Sequence, residues 1–270
     1  MARLRKFAEP EWLNRFIPVC MVKPDILMDV GAGIRPQQLV KPRMHICVEP
    51  HGEYCEVLRR KGLRVIQGTA QQILPNVESD SVDTVTLLDV VEHLPKDESL
   101  EVLRHAKRIA RKQVVILTPL GYMPQTCAQT APDPWGLHGN TWQEHRSGWD
   151  ITDFEDWDVY ICDRFHVVSY QGDHHIPLDK PNGAIWAVYT KWQNLTWADR
   201  LRVKHDFRLL WLWAFFVKVP WFYPLRHQIV LRLQKLRHYE ALIQHRLVVA
   251  LKVKEALRYC GVKSIGGTKI

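Results

Sequence analysis

The sequence predicts an α/β domain built on a mostly parallel sheet. Short apolar runs alternate with helix-patterned stretches over the first 120 residues. Those runs are apolar without period-two alternation, as strands covered on both faces are. One intervening stretch carries charges matched to a helix dipole at both ends.

The strands read, in order, as 26–30, 45–48, 63–66, 82–88 and 114–117. The helix between the last two starts after Pro95, with Asp97, Glu98 and Glu101 in its first turns and Arg108, Arg111 and Lys112 closing it. Leu100, Leu103, Ala106 and Ile109 or Ala110 recur at helical spacing and are its expected buried stripe. Further on, 151–157 reads as a short helix, 159–162 and 165–168 as strand material, and 184–189 as the last strand.

The 270 residues are 46% apolar and 24% charged, which excludes a disordered chain, a collagen-like chain and a disulfide-stapled miniprotein. The net charge of +8 is unevenly placed. Residues 196–270 hold 15 Lys and Arg against 4 Asp and Glu, a net +11, whereas residues 1–195 hold 22 against 25, a net −3. Two parts are therefore expected: a catalytic domain over 1–195 and a basic amphipathic helical extension over 196–270. The basic start has no apolar run of signal-peptide length behind it, so export is not expected. The six cysteines have no C-x-x-C spacing and read as reduced thiols of a cytoplasmic protein. The longest apolar run, 209–217, is too short to span a bilayer.

In parallel sheets the ligand sits beyond the carboxyl ends of the strands, so the residues that follow each strand carry the chemistry. The first strand is followed by Gly31-Ala32-Gly33, with Asp29 at its tip and Pro36 where a dinucleotide fingerprint needs a third glycine. A plain strand-to-helix turn is the alternative. The second strand ends in Glu49, a carboxylate able to accept two ribose hydroxyls, or simply a solvated strand end. The third is followed by Gly68-Thr69-Ala70, and the fourth by Asp89-Val90-Val91-Glu92-His93-Leu94.

Taken together, these segments resemble the class I S-adenosylmethionine-dependent methyltransferases, of the type found in bacterial polysaccharide and glycoconjugate clusters. The likeness runs over 25–120. It implies a Rossmann-like sheet with an antiparallel last strand, extending to about Lys191. It also implies S-adenosylmethionine as cofactor. Asp29, Gly31, Ala32 and Gly33 would wrap its methionine part, and Glu49, with Pro50 beside it, would bind the ribose. Thr69 and Ala70 would lie near the adenine, although the family often has Asp at the position of Thr69. Asp89 and Val90 would line the methyl end.

Segment 118–150 has no clear helix or strand period and is long enough to be functional. It carries Tyr122, Trp135, His138, Trp142, Glu144, His145, Arg146 and Trp149, and its stretch 143–149 is similar to one in those glycan-modifying enzymes. An alcohol acceptor needs a base. His145 is the first candidate, His93 the second and His138 the third; for each the alternative is to brace a helix or loop. No Asn/Asp-Pro-Pro-aromatic motif follows the fourth strand, and no cysteine follows a proline, so methylation of nucleic-acid bases is disfavoured. Asp173-His174-His175 is expected in a connecting loop, and no metal is expected there.

The extension carries Trp197, Trp211, Trp213 and Trp221 on basic amphipathic segments, the pattern of a surface that meets anionic lipid. Packing on the core, pairing in a homodimer, and nucleic-acid binding are the alternatives. The expected protein is thus an O-methyltransferase for a saccharide or glycolipid acceptor, peripheral at the inner face of the cytoplasmic membrane. The rivals are a small-molecule or lipid O-methyltransferase with the tail as lid or dimer element, and an RNA methyltransferase.

Overall fold

The computed structural model describes residues 3–127, 132–133, 135–172, 174–201 and 203. The expectations for the extension beyond residue 203 lie outside the described residues. In chain order the elements are β1 (Leu4–Phe7), α1 (Pro10–Cys20), β2 (Ile26–Val30), β3 (Met44–Glu49), α2 (Gly52–Arg60), β4 (Arg64–Gln67), α3 (Ala70–Ile73), β5 (Val82–Leu88), α4 (Lys96–Ile109), β6 (Ala110–Pro119), β7 (Thr126–Cys127), β8 (Asp158–Gly172) and β9 (His174–Thr190).

One nine-stranded sheet runs in the order β1-β8-β9-β6-β5-β2-β3-β4, with β7 against β8. Strands β2 to β6 are mutually parallel, and β9 runs antiparallel to β6 and β8. The chain steps outward from β2 in one direction (β3, β4) and from β5 in the other (β6), so the strand order reverses between β2 and β5. A crevice opens beyond the strand ends at such a reversal. Both Asp29-Gly31 and Asp89-Val90 leave their strands there.

Helix α2 packs on β3 and β4, α4 on β5 and β6, and α1 on β8. The core runs through Val85, Leu87, Val114, Ile116, Ile185 and Ala187, all essentially inaccessible, and takes in Trp149, Phe154 and Trp157. Each such side chain contributes about 1.5–3 kcal/mol on burial.

The five parallel strands lie where the apolar runs put them, and 158–190 forms the expected terminal hairpin. Four expectations are corrected. Helix α4 stops at Ile109 because the register pairs Ala110 with Val82 and starts β6 there. Arg111 and Lys112 therefore belong to the strand, where both reach the buried carboxylate of Asp83, at 2.8 and 3.4 Å. Leu100 is exposed; the buried stripe of α4 is Ser99, Val102, Leu103, Ala106 and Ile109. His174 and His175 lie in β9, paired with Gln171 and Tyr170, rather than in a loop. The 151–157 stretch holds a short 3-10 turn, Ile151–Phe154.

Strand β1 and helix α1 were not expected from sequence. Proline at the first helical position and burial of Leu13, Phe16, Ile17 and Cys20, spaced 3, 4 and 7 residues apart, explain α1. The fully buried Gln113 of β6 ties its end to the sheet. Its amide oxygen accepts from Val22 N at 2.6 Å, and its amide nitrogen donates to the carbonyl of Cys20 at 3.0 Å.

Candidate active site

The turn after β2 is built for close approach of backbone. Gly31 has φ +66° and Gly33 φ +54°, both in the left-handed region that glycine tolerates best. Gly31 N donates to the Val48 carbonyl at 2.8 Å, and a Cβ there would stand 2.6 Å from Cγ2 of Val90. Gly31 thus lets the turn after β2 and the turn after β5 touch. Beside Gly33 the space is open.

Asp29 is buried and fully engaged. It accepts from Gln37 N at 2.7 Å, from the Thr86 hydroxyl at 2.7 Å, and faces His45 Nε2 at 3.2 Å. Its work is to hold the loop 31–37 against the sheet. Glu49, also buried, accepts from Gly33 N at 2.8 Å and from His51 N at 3.0 Å. Burial pushes its carboxyl up, against those two amides. Each oxygen keeps a lone pair for a hydroxyl donor. Pro50 follows it at the mouth of α2. Thr69 caps α3 through a reciprocal box with Gln72, and Ala70 is buried behind it.

Asp89 has φ +54°, a strained value for a residue with a side chain, and its amide is fixed by the Leu117 carbonyl at 3.0 Å. Its side chain is accessible, yet the surrounding protein pushes its carboxyl up to about 6. It lies at the strand-order reversal between β2 and β5, where a crevice opens beyond the strand ends. Val90 stands beside it, against Gly31.

Next to this crevice the structure brings together Glu92, His93 and His145. The rings of His93 and His145 lie 4.9 Å apart, centre to centre. His93 Nδ1 is 3.0 Å from the Glu144 carbonyl, and His145 Nδ1 is 2.7 Å from the Met123 carbonyl. A carbonyl only accepts, so each Nδ1 carries the proton and each Nε2 the lone pair. Burial, with the nearby charges of His145 and Arg146, pushes His93 down to about 4; the carbonyls of Glu144 and Asp89 oppose this. Burial likewise holds His145 below the ordinary histidine range, against its bond to Met123. Both rings are neutral at pH 7.

His138 is elsewhere. It is exposed and pairs with Glu53 of α2, 3.2 Å away. Its loop is seated on α2 by Asp133, which accepts from the Tyr54 hydroxyl and from the amides of Trp135, Leu137 and Gly139.

Two members of the site escaped the sequence reading. Glu92 is 1% exposed, and one carboxylate oxygen accepts from the Thr118 hydroxyl at 3.0 Å. Its backbone carbonyl receives the amides of Arg146 at 2.7 Å and Ser147 at 3.1 Å, clamping the loop that bears His145 onto the turn after β5. Burial first, and then the charge of Asp89, raise its carboxyl well above the usual range. His166 of β8 is pushed down to about 4 by burial and by His145. The E-H pair at 92–93 was visible in the sequence; nothing local marked His166, which lies midway along β8.

The arrangement fits an adenosyl sulfonium cofactor. The glycine turn admits a ligand against its backbone, Glu49 offers acceptors for a diol, and Asp89 lies at the crevice. Residues 28–118 match a family model described as a methyltransferase domain. No curated protein matches the chain. Among solved structures it is similar to an S-adenosylmethionine-dependent methyltransferase from Archaeoglobus fulgidus, at 16% identity, TM-score 0.44, covering 68% of this chain and 95% of that one. It is also similar to magnesium protoporphyrin IX methyltransferase from Synechocystis PCC 6803 with bound S-adenosylmethionine, at 12% identity, TM-score 0.38, covering 66% and 75%. The chain thus carries a methyltransferase domain over residues 28–118.

Proposed function

We propose that the enzyme methylates a hydroxyl oxygen of a saccharide, a sugar or sugar-phosphate unit of a membrane-linked glycan. The observation that carries this reading is the pair of neutral imidazoles, His93 and His145, beside Asp89 at the methyl end of the cleft. Glu49, Gly31, Gly33 and Asp89 would hold the cofactor, which when bound supplies an electrophilic methyl on a sulfonium sulfur. An alcohol is far too weak an acid to lose its proton unaided at pH 7, so the protein must relieve it. His145 heads the candidates, because its Nδ1 is committed to Met123 and its Nε2 is free to accept. The aromatic side chains of Tyr122 and Trp142, both exposed on the loop, suit the apolar faces of sugar rings. The charge of +11 and the tryptophans of 196–270 support an anionic membrane surface as the meeting place.

Titration calorimetry with S-adenosylmethionine should show binding to the wild-type chain, weakened tenfold or more by Glu49→Ala. Loss of two hydrogen bonds to a charged acceptor is worth at least that, at about 1.5–3 kcal/mol each. Equal affinity would remove the cofactor assignment. For the acceptor, glycan from a strain lacking the protein should be lighter by one methylene, about 14 Da per site. An unchanged glycan mass would remove the saccharide reading.

A further inference from the structure

We infer that Glu92, His93 and His145 form a binding site for one divalent transition-metal cation, which holds and acidifies the acceptor hydroxyl. The activating role rests on the reading above, that the acceptor oxygen meets this cluster; the cation site itself does not.

One donor atom from each of the three residues lies within 4.8 Å of the others. Donors on a single ion with bonds of about 2.1 Å stand about 3–4.2 Å apart, so a small inward turn of the side chains closes the set. Two imidazoles and one carboxylate, with the remaining positions open, is a ligand set that suits first-row divalent cations.

The surroundings of the three residues are those of ligands. Each histidine donates its Nδ1 proton to a backbone carbonyl, Glu144 for His93 and Met123 for His145, which orients the ring and leaves Nε2 as the donor atom. Thr118 donates to one oxygen of Glu92 at 3.0 Å, and the other oxygen, Oε1, is buried without a hydrogen bond of good geometry among the described residues, although the nearby amides of Glu92 and Val90 act on the carboxyl. An oxygen without a hydrogen bond on a carboxylate that is 1% exposed is expensive, and among the described residues no cationic side chain pairs with it. Arg146 acts on His93 as a charge, but its own side chain is exposed. His166 adds a second orphan to the same neighbourhood. Its Nε2 is buried without a hydrogen-bond partner among the described residues.

The contrast with the other cluster of this kind among the described residues is informative. Asp29, His45 and Cys47 also have donor atoms close together. There both carboxylate oxygens already have partners in Gln37, Thr86 and His45, so no orphaned oxygen calls for an ion.

With a cation at Glu92, His93 and His145, the acceptor hydroxyl occupies an open coordination position and its proton passes to solvent. The oxygen's electron pair then forms the new O–C bond, and the electron pair of the broken C–S bond stays on sulfur. Direct proton abstraction by His145 is thereby replaced by polarisation of the hydroxyl.

The test uses the full chain, stripped with a chelator and dialysed, with Mn2+ alone as the probe. Electron paramagnetic resonance should show loss of the free Mn2+ signal at one equivalent per chain, and electron spin echo modulation should show imidazole nitrogen coupling. Glu92→Gln, which keeps the shape and the Thr118 bond, should weaken binding at least tenfold, and His145→Ala should remove one nitrogen coupling. Because a variant could fail to fold, the nitrogen coupling in the wild-type chain stands as an independent readout. Failure of the wild-type chain to bind Mn2+, or binding without nitrogen coupling, overturns the site. S-adenosylmethionine binding by the stripped chain separates this failure from failure of the cofactor assignment. Full turnover in the stripped chain overturns the activating role. If His145→Ala abolishes turnover in a chain that binds no Mn2+, direct base catalysis stands and the cation does not.

Discussion

Replacing Gly31 by alanine perturbs two things that can be separated. The first is backbone: at φ +66° an L-residue pays about 1–2 kcal/mol for left-handed geometry. The second is space. The new Cβ would stand 2.6 Å from Val90 Cγ2 and 3.3 Å from Cγ1, so the turn after β2 or the turn after β5 must shift. Overpacking of that kind costs about 1–3 kcal/mol. Gly31→Ala should therefore destabilise by about 2–5 kcal/mol in urea unfolding, with an unchanged denaturant slope. It should also weaken S-adenosylmethionine binding if, as proposed, both turns hold the cofactor. Adding Val90→Ala removes the methyl groups that clash but not the backbone strain. A double-mutant cycle should thus return a favourable coupling of about 1–3 kcal/mol and leave a residual loss of about 1–2. Additivity within about 0.5 kcal/mol, or a Gly31→Ala chain as stable as wild type, would refute the claim that this glycine exists to let the two turns meet.

Other outcomes follow from single contacts. Asp83 is buried, and burial pushes its carboxyl up; Arg111, the amides of Ile26 and Asp25, and Lys112 outweigh this and hold it below the usual range. Its contribution is therefore complete above the unfolded value of about 3.9 and is lost as pH falls through the lower folded value. The stability gap between wild type and Asp83→Asn, about 2 kcal/mol near pH 7, should close in acid; a gap independent of pH would contradict the assignment. Gln113→Ala leaves Val22 N and the Cys20 carbonyl without their partner and should cost about 2–4 kcal/mol, read by urea unfolding, with α1 the first element to lose amide protection in hydrogen exchange. His93 and His145 are held below the ordinary histidine value, so the acid limb of kcat/KM should lie below pH 6.5; a limb at or above that value would show that a different group governs the step. A chain ending near Gln193 should lose flotation with anionic liposomes while keeping cofactor affinity; continued flotation would move the anchor out of 196–270.

Among the described residues, no helix is long and apolar enough to cross a membrane.

The sequence by itself determined the parallel sheet and the turns that follow its strands. Strands covered on both faces are continuous apolar runs, and the residues that follow them, Asp29-Gly31-Gly33, Glu49 and Asp89, are local in the chain. Periodicity and spacing can report such features. The same logic failed at the end of α4, because strand pairing with β5 claimed Ala110, Arg111 and Lys112 from a helix their composition favoured. Helix α1 was not read from the sequence; its buried face of Leu13, Phe16, Ile17 and Cys20 is anchored by Gln113, 93 residues from Cys20. The active-site cluster is the clearest case of what only tertiary structure decides. Glu92 and His93 adjoin in sequence, yet His145 joins them from 52 residues away through amide bonds to the Glu92 carbonyl, and His166 arrives on β8. His138, an equal candidate by composition, is drawn to Glu53 instead. Residue type supplies the chemistry a side chain can perform. Which side chains meet, and which oxygen is buried without a hydrogen bond, is set by long-range hydrogen bonds and sheet register that no local pattern records.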